Sequence, residues 1–302
     1  MVKKGVSMSP TNELFSNAAS RWLVLRRKNL RENTYKKYNQ ETSILCKALG
    51  KHTVGSLVEY PKPILDYLKT LNVTKKTISN RLIPLKGIYD MLSVETNMQI
   101  TYPLNNANIS MFLDIKKSTY VVDPFSLKEI EKILSKAGKM KNALEVSFFT
   151  GLRPSELHGL KWEDIGEDEI RVSRRLINGK EDDPKTESSR RSVAIVINGN
   201  PTRAKTALNN QKLVSSFNEY VFPEQVTNQE FKRICRLAKV PYRNIYQARH
   251  SFASNMLLVH APREWLAKQM GHKDTTMIAE RYGKWIKDSD ITLSGNYITQ
   301  SF

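Results

Sequence analysis

Apolar residues at helical spacing recur along most of this 302-residue chain, and strand-like alternation is confined to one region. The helical pattern is well developed over residues 32–49, where apolar side chains return every three or four positions. Apolar and polar residues alternate only near 170–172 and 193–197, on either side of the turn signal Asn178-Gly179. This pattern predicts a mainly α-helical protein with a small antiparallel β-sheet, in which a long basic loop joins the strands.

Proline, asparagine and a helix-start signal divide the chain into two domains. Asn and Pro cluster over residues 102–106, whereas Ser126 and Glu129 have the spacing of a capping box at the start of a helix. No strand pattern precedes this boundary, and we expect four helices there, with Pro84 kinking the last. The predicted divisions are a disordered lead over 1–8, an all-helical domain over 9–110, a linker over 111–123, a mixed α/β domain over 124–287 and a tail over 288–302.

The charge of the chain indicates an anionic polymer as its partner. The chain has 48 Lys and Arg and 30 Asp and Glu, which gives a formal net charge of +18. More than half of this excess falls in residues 1–110. A strongly basic protein is typical of nucleic-acid binding, and the predicted helical domain is the part best suited to it.

The two cysteines and the chain start favour an intracellular protein. Cys46 and Cys235 are far apart in sequence and have no further metal ligands near them, so we interpret them as free thiols in a reducing compartment. Residues 1–5 lack the apolar core of a signal peptide, and no apolar run approaches the ~20 residues that a membrane span needs. We therefore expect a cytoplasmic protein with no membrane partner.

Chemistry-bearing residues concentrate in four stretches of the second half. They are TGLRPSEL at residues 150–157, YQARHSFAS at 246–254, QMGHKDTT at 269–276 and ERYGKW at 280–285. Together they closely resemble the signature of the tyrosine recombinase family, the phage-integrase type of DNA strand-transfer enzyme. The resemblance covers roughly residues 10–290, but its specific motifs lie in the second half. The first half is similar only as a basic, all-helical core-binding domain.

The resemblance implies a catalytic role for five residues. Arg153 and Arg249 match the two family arginines, and guanidinium groups suit a phosphodiester because they stay charged and bind two oxygens at once. His272 would donate to the same phosphate. Tyr282, ten residues further on, would be the nucleophile that forms a 3′-phosphotyrosine bond and releases a 5′-hydroxyl. Lys185 would protonate that leaving oxygen, with Lys180 as the competing candidate.

Three further residues in these motifs are expected to belong to the site. Tyr246, a further catalytic candidate, stands where most of the family has histidine. A phenol can donate one hydrogen bond to the phosphate, but with a pKa near 10 it cannot act as a base near neutral pH. Glu156 lies one helical turn beyond Arg153 and is expected to support an active-site arginine or histidine. We interpret His250 as a packing or supporting residue in preference to a direct chemical role.

The function that follows from the resemblance is site-specific recombination between double-stranded DNA sites, for integration or excision of a phage or other mobile element. It implies a homotetramer on synapsed DNA, a monomer without DNA, accessory DNA-bending or directionality proteins, a nucleoid location in a bacterial host, and neither metal nor ATP nor other cofactor. The alternatives are a type IB topoisomerase-like strand transferase and a DNA-binding regulator that has lost catalysis. In the first domain, we predict phosphate contacts from Lys36, Lys37, Lys75, Lys76 and Arg81.

Overall fold

The structure of the protein is a computed structural model that describes residues 10–97, 99–104, 113, 116, 121–184 and 187–287. The chain divides into two compact units, Met1–Tyr120 and Val121–Phe302. The predicted lead over 1–8, the tail over 288–302 and most of the predicted linker lie outside the described residues.

The first unit is entirely helical over its described elements. Its α-helices are α1 (Phe15–Arg27), α2 (Glu32–Leu49), α3 (Val54–Glu59), α4 (Lys62–Lys69) and α5 (Lys75–Thr96). Thr53 and Thr74 begin α3 and α5 by accepting hydrogen bonds from the exposed backbone N–H groups of the first turn. The six-residue α3 is one helix more than the sequence pattern indicates. Pro84 lies inside α5, and the helix continues through it.

One apolar core holds these helices together. Phe15, Trp22, Leu45 and Tyr89 are among its buried members. The Tyr89 hydroxyl donates a 3.1 Å hydrogen bond to the backbone carbonyl of Val54, so its polar end is satisfied inside the core. Helix α5, the longest helix described, carries exposed charged residues such as Lys75, Lys76 and Lys86. Among the helices that the structure describes, none has the length and apolar character that crossing a bilayer requires.

The second unit is a mixed α/β domain. Its helices are α6 (Leu127–Lys136), α7 (Lys141–Thr150), α8 (Pro154–His158), α9 (Arg203–Ser215), α10 (Asn228–Leu237), α11 (Gln247–Leu258), α12 (Arg263–Met270) and α13 (Thr276–Lys287). The predicted capping box is present: the Ser126 side chain accepts from the Glu129 N–H, and the Glu129 carboxylate accepts from the Ser126 N–H. The mainly helical fold class with small antiparallel sheets is thus confirmed.

The strands form three separate two-stranded ladders among the described residues. They are β1 (Glu169–Val172) with β4 (Arg191–Ala194), β2 (Arg175–Ile177) with β3 (Lys180–Asp182), and β5 (Val196–Ile197) with β6 (Asn200–Pro201), all antiparallel. The expected single sheet with a long loop is therefore too simple. Asn178 and Gly179 have positive φ angles of 51° and 73°, which makes the tight turn that closes the β2–β3 hairpin inside that segment.

Helix α11 is the element around which the second unit packs. It contacts α7, α12 and α13, and every residue from Gln247 to Leu257 is buried. Its polar residues are satisfied inside the core; Ser251, for example, accepts from the Phe125 N–H at 2.8 Å. A helix buried on all sides is normally apolar throughout, because an unpaired buried charge is costly. The two buried ionisable residues Arg249 and His250 therefore indicate that α11 lies at the centre of a functional site.

Candidate active site

Arg249 links three segments of the second unit. Its side chain is 2% exposed. Its guanidinium donates to the Gly151 carbonyl at 2.6 Å and to the Met270 carbonyl, and it lies 3.1 Å from Nε2 of His272. Burial and the nearby Arg153 lower the pKa of Arg249 to about 10, so the group remains charged at neutral pH. Its position is fixed before any ligand arrives.

Arg153 faces the same turn from the start of α8. It donates to Glu156 Oε1 at 2.5 Å and to the Gly271 carbonyl at 3.2 Å. Its side chain is 27% exposed, in contrast to the buried Arg249. The two predicted arginines therefore meet at the turn between α12 and α13, one buried and one open to an incoming anion.

The Glu156 carboxylate accepts hydrogen bonds from two arginines, Arg153 and Arg191. Its second carboxylate oxygen, Oε2, accepts from the Arg153 backbone N–H at 2.9 Å and from Arg191 at 3.0 Å. Burial alone would raise the pKa of this carboxyl, but Arg191, Arg153 and Arg249 outweigh burial and lower the pKa to about 2. Glu156 is thus a buried carboxylate that fixes two guanidinium groups.

Arg191 is a member of the site that sequence reasoning missed. Besides Glu156, it donates to the Gln269 carbonyl at 2.7 Å and to the Ser189 carbonyl at 3.1 Å. It thereby ties β4 to the end of α12. A signal for this was available, since strand side chains alternate and Arg191 shares a face with the buried Val193.

His272 follows a glycine whose conformation and surroundings both require the absence of a side chain. Gly271 has a φ of +64°, and a Cβ there would lie 3.0 Å from Arg191 side-chain atoms and from the Ser188 carbonyl. Burial first, and then the neighbouring arginines, lower the pKa of His272 to about 3, which keeps the ring neutral. The tight turn brings that ring against Arg249.

The tautomer of His272 follows from its partner. A guanidinium can only donate, so Nε2 accepts from Arg249 and the neutral ring carries its proton on Nδ1. Nδ1 is buried and has no hydrogen-bond partner among the residues that the structure describes. A buried donor left unpaired is costly, so this N–H is well suited to meet an incoming phosphate oxygen.

Tyr282 is buried on α13 and is held by α11. Its side chain is 1% exposed, and its hydroxyl lies 2.6 Å from Nδ1 of His250. The His250 ring also stacks edge-on against Tyr246, with 5.3 Å between ring centroids. Burial, Arg281 and Arg249 together lower the pKa of His250 to about 4. The structure therefore gives His250 a direct contact with the predicted nucleophile.

One of the two lysines predicted to protonate the leaving group, Lys180, lies within the described residues. Lys185 lies outside the described residues. Lys180 begins β3 beside the hairpin turn and is exposed. Its proposed role relative to Lys185 stays a prediction.

The basic residues predicted to contact DNA lie on α2 and α5 of the first unit. Lys37, Lys75 and Lys76 are exposed. Lys36 is also exposed and lies 3.7 Å from Glu32. Arg81 is partly buried. It forms an ion pair with Glu41 of the same unit, at 3.6 Å.

The buried charge cluster makes a prediction about stability. Glu156→Gln is expected to lower the free energy of unfolding by about 3 kcal/mol at neutral pH, because a neutral amide replaces a carboxylate between two guanidinium groups. The pKa is lowered from 4.5 to about 2, so this contribution is present above pH 4.5 and is lost as pH falls towards 2. Urea titrations at a series of pH values should show the difference between wild type and variant shrinking over that window.

An exposed glutamate in the same unit supplies the control. Glu264→Gln makes the same chemical change in the first turn of α12, where the side chain is exposed. We expect it to change stability by less than about 0.5 kcal/mol. A wild-type advantage over Glu156→Gln that stays constant from pH 6 to pH 2 would contradict the assigned electrostatic role.

Two arginines and a neutral imidazole thus meet at one turn of the second unit, and a buried tyrosine lies on the helix that follows this turn. The model of the phage integrase family matches residues 122–286. The prophage integrase IntR of Escherichia coli strain K12 is 23% identical over 91% of this chain and 77% of its own length.

Solved structures share the fold over both units. The Tn1549 transposon integrase, in complex with circular intermediate DNA, matches with a TM-score of 0.71 and 20% identity over 89% of this chain and 95% of that one. A lambda integrase tetramer bound to a Holliday junction matches with a TM-score of 0.64 and 15% identity over 91% and 84%.

Because the family model covers more than half of the chain, the protein belongs to the phage integrase family. It is a tyrosine recombinase, an enzyme that breaks and rejoins DNA. Its relatives include a prophage integrase and a transposon integrase.

Proposed function

We propose that this integrase cuts one strand at a specific duplex DNA site through Tyr282 and holds the 3′ end as a phosphotyrosine. The observation that carries the proposal is the arrangement around Arg249, whose guanidinium joins the α7 end, the α12 end and His272. It provides charge and hydrogen-bond donors on neighbouring turns of one unit. The nucleophile lies on α13, which packs against the same helix.

The residues act on a bound phosphate as follows. Arg153 and Arg249 neutralise the charge that grows on the non-bridging oxygens, and Nδ1–H of His272 donates to one of them. Preorganised donors of this kind contribute about 10²–10³ each to the rate. The Tyr282 oxygen attacks phosphorus, the bond to the 5′ oxygen breaks, and Lys185 protonates that oxygen. The new ester retains the energy of the phosphodiester, so rejoining requires no ATP.

We further propose that four copies act together on two synapsed sites and that the DNA-free chain is a monomer. The lambda integrase tetramer on a Holliday junction supports this assembly, because two successive strand exchanges through such a junction require four active sites. Accessory DNA-bending or directionality proteins and a nucleoid location in a bacterial host belong to the same proposal, on the strength of the prophage relative.

Two assays test the function. A nicked suicide substrate, which loses the strand needed for rejoining, should trap a covalent protein–DNA complex if the chain is an active enzyme. DNA binding without any trapped complex would favour a regulator that has lost catalysis. A two-site plasmid assay should then yield recombinant junctions; relaxation of supercoils with no junctions would favour topoisomerase-like activity.

The lysines of the first unit lead to a prediction about affinity. Lys75→Ala/Lys76→Ala should weaken DNA binding and flatten the log–log dependence of affinity on salt by about one unit for each phosphate that the variant no longer neutralises. Both side chains are exposed at the start of α5. Fluorescence anisotropy at several salt concentrations measures the slope.

The matched control removes two positive charges that lie on another helix of the same unit. Lys62 and Lys69, at the two ends of α4, are exposed and are not among the predicted DNA-contacting residues. Their double alanine variant should leave the salt slope closer to that of wild type. Equal slopes for wild type and the Lys75/Lys76 variant would remove the start of α5 from the DNA interface.

A further inference from the structure

The site has no imidazole at position 246 to accept the proton of the nucleophile. The nucleophilic phenol must lose a proton as it attacks, and Tyr246 stands where the sequence signature usually has an imidazole. A second phenol is no better a base than the nucleophile itself, because the two groups are chemically the same. An imidazole does contact the Tyr282 hydroxyl at hydrogen-bond distance: Nδ1 of His250 lies 2.6 Å from it.

Helix geometry explains how His250 comes to face the nucleophile. Residues four apart lie on the same side of a helix, so His250 lies one turn beyond Tyr246 and their rings touch. Neighbouring residues point about 100° apart. Arg249 therefore faces the backbone carbonyls of Gly151 and Met270, to which it donates, whereas His250 faces α13 and Tyr282. Helix α11 therefore carries, at adjacent positions, the arginine proposed to bind phosphate and the histidine that contacts the nucleophile.

We propose that His250 is the proton acceptor for Tyr282 in the cleavage reaction, and that it takes the place of an imidazole at position 246. This inference rests on the proposed function. In the step, the Tyr282 Oη–H bond breaks and its proton moves to Nδ1 of His250 while Oη bonds to phosphorus. The phosphorus bond to the 5′ oxygen breaks, and that oxygen takes its proton from Lys185. Rejoining reverses each transfer, so His250 returns the proton to Tyr282.

The charges around His250 make this acceptor responsive to DNA. The titratable and charged groups close to it include Tyr246 and Arg249 on its own helix segment and Arg281 and Tyr282 on α13. Without DNA, burial first and then Arg281 and Arg249 lower the pKa of the imidazole and keep it neutral, as an acceptor must be. A bound phosphodiester places a negative charge beside Arg249, which offsets the repulsion between Arg249 and a protonated ring and raises the proton affinity of the ring. Deprotonation of Tyr282 is thereby favoured when a phosphate is in place.

The first test separates nucleophile activation from leaving-group protonation. His250→Gln keeps a hydrogen-bonding group of similar length but cannot take up a proton. It should cleave a nicked suicide substrate about 10²–10⁴-fold more slowly than wild type. A substrate with sulfur in place of the bridging 5′ oxygen has a leaving group that needs no proton. On it, Lys185→Ala should recover towards the wild-type rate, and His250→Gln should stay slow.

The second test distinguishes proton transfer from positioning. A trifluorotyrosine at position 282 is more acidic than tyrosine and should restore much of the missing rate to His250→Gln as pH rises. His260→Asn serves as the control, because this exposed histidine has a φ of 57°, which asparagine tolerates, and it should cleave at the wild-type rate. Thermal unfolding and DNA binding establish that each variant is folded.

Three results for His250→Gln would overturn the proposal: cleavage at the wild-type rate, rescue by the sulfur substrate alone, or no rescue by trifluorotyrosine at position 282. A fourth is a protonated Nδ1 of His250 in the wild-type enzyme. The last is read from the ¹⁵N shifts of the His250 ring, which need no variant to fold. We expect an unprotonated Nδ1. If wild type forms no covalent complex with either substrate, the proposed function itself fails, and that outcome is distinct from all four.

Discussion

Arg249→Lys is expected to reduce the rate of covalent complex formation by at least ~10²-fold, and Arg249→Ala by more than ~10³-fold. The lysine keeps the charge but loses the planar fork that reaches the Gly151 and Met270 carbonyls and His272 together. The alanine loses charge and donors alike. Loss of one preorganised donor typically costs about 10²–10³ in rate, and this residue provides more than one. Single-turnover cleavage of a suicide substrate gives both rates.

A structural arginine of the same unit is the control for these variants. Arg203 forms ion pairs with Glu131 and Glu145 and packs over the Phe149 ring. Arg203→Ala should lower the melting temperature while leaving single-turnover cleavage unchanged at a temperature where the variant is folded. If Arg249→Lys cleaves within about tenfold of wild type, the bidentate role assigned to Arg249 is wrong.

Tyr282→Phe is expected to bind DNA with wild-type affinity and to form no covalent complex, since the attacking oxygen is absent. It should also be about 1–2 kcal/mol less stable than wild type, because the His250 ring nitrogen loses its buried partner. Gel analysis of trapped complexes measures the first effect, and urea unfolding measures the second.

Tyr89→Phe provides a closely matched comparison. Tyr89 is also fully buried and hydrogen-bonded, to the Val54 carbonyl in the first unit. Its variant should show a similar loss of stability with normal covalent complex formation. A covalent complex that persists in Tyr282→Phe would move the nucleophile elsewhere, with Tyr297, outside the described residues, as the next candidate.

Local signals predicted much of the fold. The pattern over residues 32–49 gave the bounds of α2 as the structure has them, and the Ser126–Glu129 capping box begins α6 as expected. Such features depend on residues within one or two turns of one another. The six-residue α3 is too short to show helical periodicity. The three ladders were not distinguished, because pairing between short strands is decided by contacts distant in sequence.

The site was predicted by motif, but the partners of its residues were not. The motifs identify Arg153, Arg249 and His272, which the structure brings to one turn. By contrast, Arg191 acquires its role only when β4 meets the end of α12. Nothing local indicates that His250 contacts a tyrosine 32 residues further along the chain.

The most direct test is to identify the atom that joins protein to DNA. Wild-type complexes trapped on a suicide substrate with one labelled strand would be digested with protease and nuclease, and the modified peptide would be sequenced by mass spectrometry. We predict a nucleotide attached through its 3′-phosphate to the Tyr282 oxygen, with a free 5′-hydroxyl on the released strand. Attachment to another residue, or through a 5′-phosphate, would contradict the account.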